Sequence, residues 1–152
     1  MSTDTLFTIC TVVVLPQWLL MVVAPQWKGT RRLIAWNAVP LLLAAVYLYL
    51  VATTFGRAEG GFGSLDAVGR LFANREVLLA GWIHYLVLDL FVGGWMTRDA
   101  MRLGVSAVAV APCLVLTFLL GPAGLLLYWA VRSPHTRRRP PFAVLAGGWP
   151  PA

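Results

Sequence analysis

Long apolar stretches separated by short polar connections make up most of this chain. Four of them, at 5–24, 33–54, 78–97 and 106–131, are long enough for the roughly 20 apolar residues that a membrane-spanning helix needs. The links between them leave no room for a soluble domain. The pattern therefore predicts an all-α, polytopic membrane protein whose single domain, at 1–132, is a bundle of about four transmembrane helices.

A different pattern follows the second stretch, after a glycine-rich turn. Leu65, Val68, Leu71 and Phe72 recur at helical spacing among polar residues. Ser64 precedes them and is a residue type that caps helix N-termini. The segment is predicted to form a short amphipathic helix that lies at the membrane interface between the second and third spans.

Prolines interrupt three of the four stretches, and the composition changes at the end of the chain. Pro16, Pro40 and Pro112 lie inside spans, and Pro122 is a second proline in the last one. Because proline removes a backbone donor, we expect these helices to be kinked. Residues 133–152 are basic and rich in proline, which predicts a disordered tail attracted to anionic lipid.

Composition and charge agree with a membrane protein. Of the 152 residues, 59% are hydrophobic and only 12% are charged. The cations that give a net charge of +6 lie at span ends and in the tail, where they contact lipid headgroups, so membrane lipids rather than nucleic acid are the predicted partners. Loops 25–32 and 98–105, on one side of the membrane, hold five cations, and the segments on the other side hold seven. This small difference does not decide the orientation, but the arginines at 137–139 slightly favour termini on the cytoplasmic side.

Ionisable groups inside the third span are its most informative feature. His84, Tyr85 and Asp89 lie in an otherwise apolar run, where an aspartate near the bilayer centre costs roughly 2.5–3.5 kcal/mol on insertion scales. Tyr85 and Asp89 are four residues apart and share one helix face, whereas His84 lies to the side of that face. We expect Tyr85 and Asp89 to face one cavity, with His84 reaching its flank.

Two roles for these groups stay open. Asp89 could fasten the bundle by a hydrogen bond to Gln17 of the first span or Asn37 of the second. Alternatively, His84, Tyr85 and Asp89 are catalytic groups that transfer protons. The ligand-binding candidates around them are polar or aromatic residues of the first three spans, namely Gln17, Trp18, Asn37, Trp82, Trp95, Arg98 and Asp99.

No cofactor and no metal site are predicted. The chain has two histidines, His84 and His135, and His135 belongs to the tail. No cluster of histidines or carboxylates with metal-ligand spacing accompanies them, which disfavours a di-iron membrane hydroxylase or a structural zinc. A haem with His84 as its single axial ligand remains an open alternative.

Several motifs resemble those of the abscisic-acid-deficient-four-like membrane proteins. The resemblance extends from about Leu6 to Arg132, and the segments that carry it are LPQWLL at 15–20, AP at 24–25, AGWIHYL at 80–86, DLFVG at 89–93, RDA at 98–100, PCL at 112–114 and TFLLGPAGLLLY at 117–128. It implies a small integral membrane protein of about four helices. In plants the family is linked to converting the epoxide of violaxanthin into the allenic alcohol of neoxanthin.

That conversion would need an acid at the epoxide oxygen, a polyene that delocalises the cation, and a base for a neighbouring proton. His84 or Tyr85 is our candidate acid and Asp89 our candidate base. The leading hypothesis is thus a membrane isomerase of a carotenoid or related isoprenoid, similar to neoxanthin synthase.

The sequence also leaves alternative functions open and predicts a cellular location. The main alternative is a non-enzymatic subunit that binds a pigment or lipid in a larger, for example photosynthetic, membrane complex. A homo-oligomer and a small transporter or proton relay also stay open. The chain is rich in arginine and alanine and carries no serine-rich transit peptide, which is typical of a bacterial protein and predicts the bacterial inner (cytoplasmic) membrane.

Overall fold

The protein is all-helical in the computed structural model, which describes residues 2–54 and 56–136. No strand occurs within these ranges. The helices are α1 (Thr3–Val23), α2 (Lys28–Trp36), α3 (Ala38–Thr54), α4 (Leu65–Ala73), α5 (Arg75–Leu103), α6 (Ala107–Leu120) and α7 (Pro122–Thr136). The predicted all-α class is confirmed.

Three helices are long and apolar enough to cross a membrane. They are α1, α5 and the continuous segment Lys28–Thr54, which joins α2 to α3 through Asn37, a residue with a positive φ of 50°. Their most apolar windows have mean hydropathies of 2.2, 1.7 and 1.9 respectively. They correspond to the first three predicted spans, and the protein is an integral membrane protein by this measure.

The fourth predicted span, 106–131, differs from expectation because it is two helices rather than one. Gly121 separates α6 from α7 with a φ of 42° and a ψ of −94°. Gly124 then lies against the backbone of Thr117 and Cys113, so closely that a Cβ atom would overlap them. Residues seven positions apart in one straight helix would be about 10 Å apart. The two helices therefore fold back on each other as a hairpin.

Each arm of this hairpin is shorter than a bilayer is thick. The 14 residues of α6 rise by about 21 Å, against about 30 Å of hydrocarbon. Pro122 is the first residue of α7, a position where a missing N–H has no intrahelical partner to lose. The kink predicted at Pro122 is therefore a reversal of the chain between α6 and α7. Pro16 and Pro112 lie inside α1 and α6.

The short helix before the third span forms as predicted. Ser64 accepts a hydrogen bond from the Ala67 amide at 3.1 Å and caps α4. The ring of Phe72 lies over Gly81, where a Cβ would come within 2.6 Å of it, so the absence of a side chain lets α4 pack on α5. At the other end of the chain, α7 continues to Thr136, past the predicted start of the tail at 133. Residues 137–152 of that tail lie outside the described ranges.

The chain divides into two compact units. The first comprises Met1–Pro16 and Asn37–Leu90, and the second Gln17–Trp36 and Phe91–Ala152. Helices α1 and α5 contribute to both. Buried residues of the first unit include Val14, Leu43 and Ile83, and those of the second include Met96 and Tyr128.

Candidate functional site

The predicted site residues divide between the two units. His84, Tyr85, Asp89, Trp82 and Asn37 lie in the first unit, and Gln17, Trp18, Trp95, Arg98 and Asp99 lie in the second. Each group has its own contacts and is described separately.

Tyr85 and Asp89 form the polar centre of the first unit. They lie one turn apart on α5, where the Tyr85 hydroxyl and the Asp89 carboxyl group are close enough to interact. Asp89 is only 9% exposed. Its Oδ2 atom is buried and has no hydrogen-bond partner within the described residues. Since buried oxygens are normally satisfied, this atom is an acceptor open to a ligand.

His84 lies on a different side of α5. Its side chain is exposed, and its ring centroid lies 5.5 Å from that of Tyr47 on α3. This placement agrees with the helical geometry, which puts His84 beside the face that Tyr85 and Asp89 share. The imidazole is therefore exposed, whereas Asp89 is largely buried.

An aromatic row leads to this polar centre. The ring of Trp82 stacks on Tyr85 at 5.5 Å with an interplanar angle of 28°, and Phe7 on α1 lies 5.6 Å from Trp82 on its other side. The indole Nε1 of Trp82 donates to Thr11 Oγ1 at 3.0 Å, which holds the ring in place. Phe7 is 43% exposed and Trp82 is 37% exposed. The row thus presents π faces at the edge of the unit, next to a buried acid.

Two cavities open elsewhere in the first unit. The larger, of about 740 Å³, has apolar walls from Leu42, Leu50 and Leu79, and polar groups such as Arg57 and Glu76 also line it. The smaller, of about 260 Å³, is lined by residues that include Phe7 and Trp82 of the aromatic row. His84, Tyr85 and Asp89 line neither cavity. The expectation that Tyr85 and Asp89 face one cavity, with His84 at its flank, stays a prediction.

Asn37 has a local structural role. It joins α2 to α3 and adopts the left-handed conformation, with a φ of 50° that asparagine tolerates better than most residues. A hydrogen bond from Asn37 or Gln17 was one predicted role for Asp89. The Oδ2 atom of Asp89 has no hydrogen-bond partner within residues 2–54 and 56–136, so neither residue satisfies that oxygen.

Gln17 and Trp18 are both buried in the second unit. Gln17 is 2% exposed, and its Oε1 is a buried acceptor with no partner in the described part of the chain. Trp18 is 5% exposed and packs edge-on against Phe118 at 5.5 Å. A Cβ on Gly93 would come within 2.7 Å of the Trp18 ring. Trp18 therefore fills the helix interface, whereas Gln17 keeps an unsatisfied oxygen.

Asp99 is engaged by α7 rather than available to a ligand. Its Oδ2 accepts from the Tyr128 hydroxyl at 2.7 Å and from Arg132 Nε at 2.8 Å, and its Oδ1 accepts from Arg132 Nη2 at 3.1 Å. The Asp99 and Arg132 side chains are only 16% and 15% exposed. This bidentate, partly buried ion pair joins the end of α5 to the returning arm of the hairpin.

Trp95 belongs to the same cluster. Its ring meets Tyr128 edge-on at 5.5 Å and lies 6.4 Å from Trp129. The Arg132 guanidinium lies 4.5 Å from the centroid of Trp129 and 5.7 Å from that of Trp95, within cation–π range. Trp95 and Asp99, both predicted to contact a ligand, thus make several internal contacts, and Arg98 is half-buried on the same helix end.

Tyr128 and Arg132 are the functional-looking residues that sequence reasoning missed. They are four residues apart, so they share one face of α7 and reach the same carboxylate. An arginine directly after an apolar run is ordinarily assigned to lipid headgroups. The sequence did offer one signal for this ion pair: Asp99 is an acid at the end of one apolar segment, and Arg132 follows another apolar segment.

Comparisons with known proteins identify a family and a curated relative. The family model described as ABA DEFICIENT 4-like matches residues 5–128. The Arabidopsis thaliana protein named "Protein ABA DEFICIENT 4, chloroplastic" is 26% identical over 138 residues, which are 86% of this chain and 61% of the plant protein. The chain thus spans about three-fifths of the length of that relative. No solved structure matches.

Proposed function

This chain belongs to the ABA DEFICIENT 4-like family, and on that premise we propose that it is a membrane isomerase that acts on a carotenoid or related isoprenoid. The reaction class is acid–base isomerisation, similar to that of a neoxanthin synthase, with no net oxidation or reduction. The buried Asp89 Oδ2 without a partner, one turn from Tyr85 and its aromatic neighbours, is the observation that supports it most.

The aromatic row suits an extended conjugated ligand. A polyene presents a flat apolar face, and the rings of Phe7, Trp82 and Tyr85 offer matching π surfaces in a row. Such a ligand would lie along α5 from the lipid side, with its polar end ring near Asp89. A ligand hydroxyl or epoxide-derived alcohol there would supply the hydrogen bond that Oδ2 lacks.

The proposed chemistry gives each side chain one role. The Asp89 carboxylate is the base that removes a proton from the carbon next to the opened ring. The acid is Tyr85 or the accessible His84, which protonates the epoxide oxygen as the carbon–oxygen bond breaks. The polyene delocalises the resulting cation, and loss of the neighbouring proton restores neutrality without changing the formula.

Expression in a host that produces epoxycarotenoids tests the proposal. The native protein should produce a new isomer of unchanged mass, Asp89→Asn should abolish it, and Tyr85→Phe should reduce it while keeping the ring that stacks on Trp82. Asp66→Asn, an exposed carboxylate on α4, is the matched control and should leave the yield unchanged. An unaltered pigment profile with well-expressed native protein would refute the isomerase.

The alternative function is a non-enzymatic subunit that binds a pigment or lipid in a larger membrane complex. The exposed Phe7 and Trp82 rings favour it as much as they favour catalysis, because recognition needs the aromatic row but not the acid. It predicts pigment that copurifies with the native protein and with Asp89→Asn, chemically unchanged in both. The bacterial inner membrane stays a prediction, since the Arabidopsis relative is named as chloroplastic.

A further inference from the structure

A polar cavity lies in the second unit. It has a volume of about 540 Å³ and lies where the ends of α1 and α5 meet the beginning of α6. Its polar side chains include Gln26, Arg31 and Ser106, and Met21, Met101 and Val110 contribute apolar surface. No carboxylate lines it. A lining with an arginine, an amide and a hydroxyl, but no acid, suits an anion.

The charge distribution of this unit leads to the same ligand class. Its described residues carry six cations but one carboxylate, Asp99, and that carboxylate is already bound by Arg132. The other cations are Lys28, Arg31, Arg32, Arg98 and Arg102. The remaining five carboxylates of the chain all belong to the first unit. The second unit therefore holds excess positive charge that its own acids do not balance.

Like charges are also concentrated on the helix that lines the cavity. Arg98 and Arg102 are four residues apart on α5 and repel each other electrostatically. Met101 and Gly104, between and just beyond them, line the cavity directly. These two cations add to the positive charge of the helix that lines the cavity, which favours a negative ligand there.

We propose that this cavity binds the phosphate of an anionic amphiphile, with Arg31 as its principal contact and the apolar wall against the first part of the tail. Arginine matches phosphate geometry because its planar fork donates two parallel hydrogen bonds. A volume of about 540 Å³ falls within the roughly 300–1,000 Å³ typical of small-molecule sites. This site is independent of the isomerase proposal, since it shares no residue with the Tyr85 and Asp89 centre.

Binding of short-chain phosphatidylglycerol to the purified protein in neutral detergent tests the site. Arg31→Gln should weaken binding about tenfold, the effect of losing one charge-assisted contact of roughly 1.5 kcal/mol. Arg32→Gln is the matched control, because Arg32 is the next residue on α2 and is equally exposed but does not line the cavity. It should change binding less than twofold.

Two further arms identify the source of the phosphate. Phosphatidylcholine has the same phosphodiester without net negative charge and should bind several-fold more weakly. Inorganic pyrophosphate that displaces the lipid at equal concentration would support the anion site but assign it to a soluble phosphate. Equal losses for Arg31→Gln and Arg32→Gln would indicate general surface charge and overturn the proposal, as would equal affinity for the two lipids.

Discussion

The ion pair between Asp99 and Arg132 should be the most sensitive polar contact in the second unit. Arg132→Met removes the guanidinium and keeps most of the side-chain volume, so Asp99 loses two of its three hydrogen bonds and its only described counter-ion. The Tyr128 hydroxyl, at 2.7 Å, would be its remaining donor. The variant therefore leaves a partly buried carboxylate without charge compensation.

The magnitude depends on burial. At an effective dielectric constant of about 20, unit charges about 3 Å apart attract by roughly 5 kcal/mol before desolvation is subtracted. Removing one partner of a buried pair costs about 3–5 kcal/mol, whereas neutral hydrogen bonds between membrane helices average about 0.6 kcal/mol. Because both side chains keep some exposure, 15% and 16%, we expect Arg132→Met to lower the free energy of unfolding by about 3 kcal/mol, the low end of the buried range.

Reversible unfolding in mixed micelles, followed by tryptophan fluorescence, measures this loss. Trp95 and Trp129 both lie against Arg132, so they add a signal from this cluster to the total emission of the seven tryptophans. The matched control is Arg75→Met, which breaks a pair with Asp4 that is 71% and 80% exposed and should cost under about 1 kcal/mol.

A double-mutant cycle isolates the pair itself. Asp99→Asn keeps an acceptor for Tyr128 but removes the charge, so in its background Arg132→Met should cost at least about 2 kcal/mol less than in the native protein. Equal losses for Arg132→Met and Arg75→Met, or a coupling near zero, would refute the claim that burial makes this ion pair strong.

Two further predictions concern the hairpin. Gly124→Ala should destabilise the protein by about 1–3 kcal/mol because its Cβ has no room against α6, whereas Gly69→Ala, in open space on α4, should be neutral or stabilising in the same unfolding assay. Because α7 returns to the end of α5, a cysteine at Ser133 should react with an impermeant thiol reagent from the same membrane side as one at Lys28, and one at Asp66 from the opposite side. Six of the nine described cations then share the first side, which the positive-inside rule makes cytoplasmic; this is the opposite of the orientation that the sequence predicts for the N-terminus. Reaction of Ser133→Cys from the Asp66 side would refute the hairpin.

The polar centre on α5 was largely predictable because it depends on one helix. The spacing of Tyr85 and Asp89 places them on one face in any α-helix, and His84 falls beside that face for the same reason. The burial that leaves Asp89 Oδ2 without a partner was not predictable, since it depends on neighbouring helices. The same holds for Trp18, a ligand-binding candidate whose ring fills the space above Gly93.

The sequence by itself determined the all-α class, the first three spans and the capped helix after Ser64. These follow from apolar run length and from contacts within four residues, which act in the same way wherever the helix lies. Tertiary structure alone decided that the last apolar segment reverses at Gly121 and that Asp99 meets Tyr128 and Arg132, which are 29 and 33 positions away. The physical reason is that lipid accepts an apolar helix running in either direction, so hydropathy carries no information on whether it crosses or returns. The close packing at Gly124 and the burial of the Asp99 carboxylate against α7 determine that this segment returns.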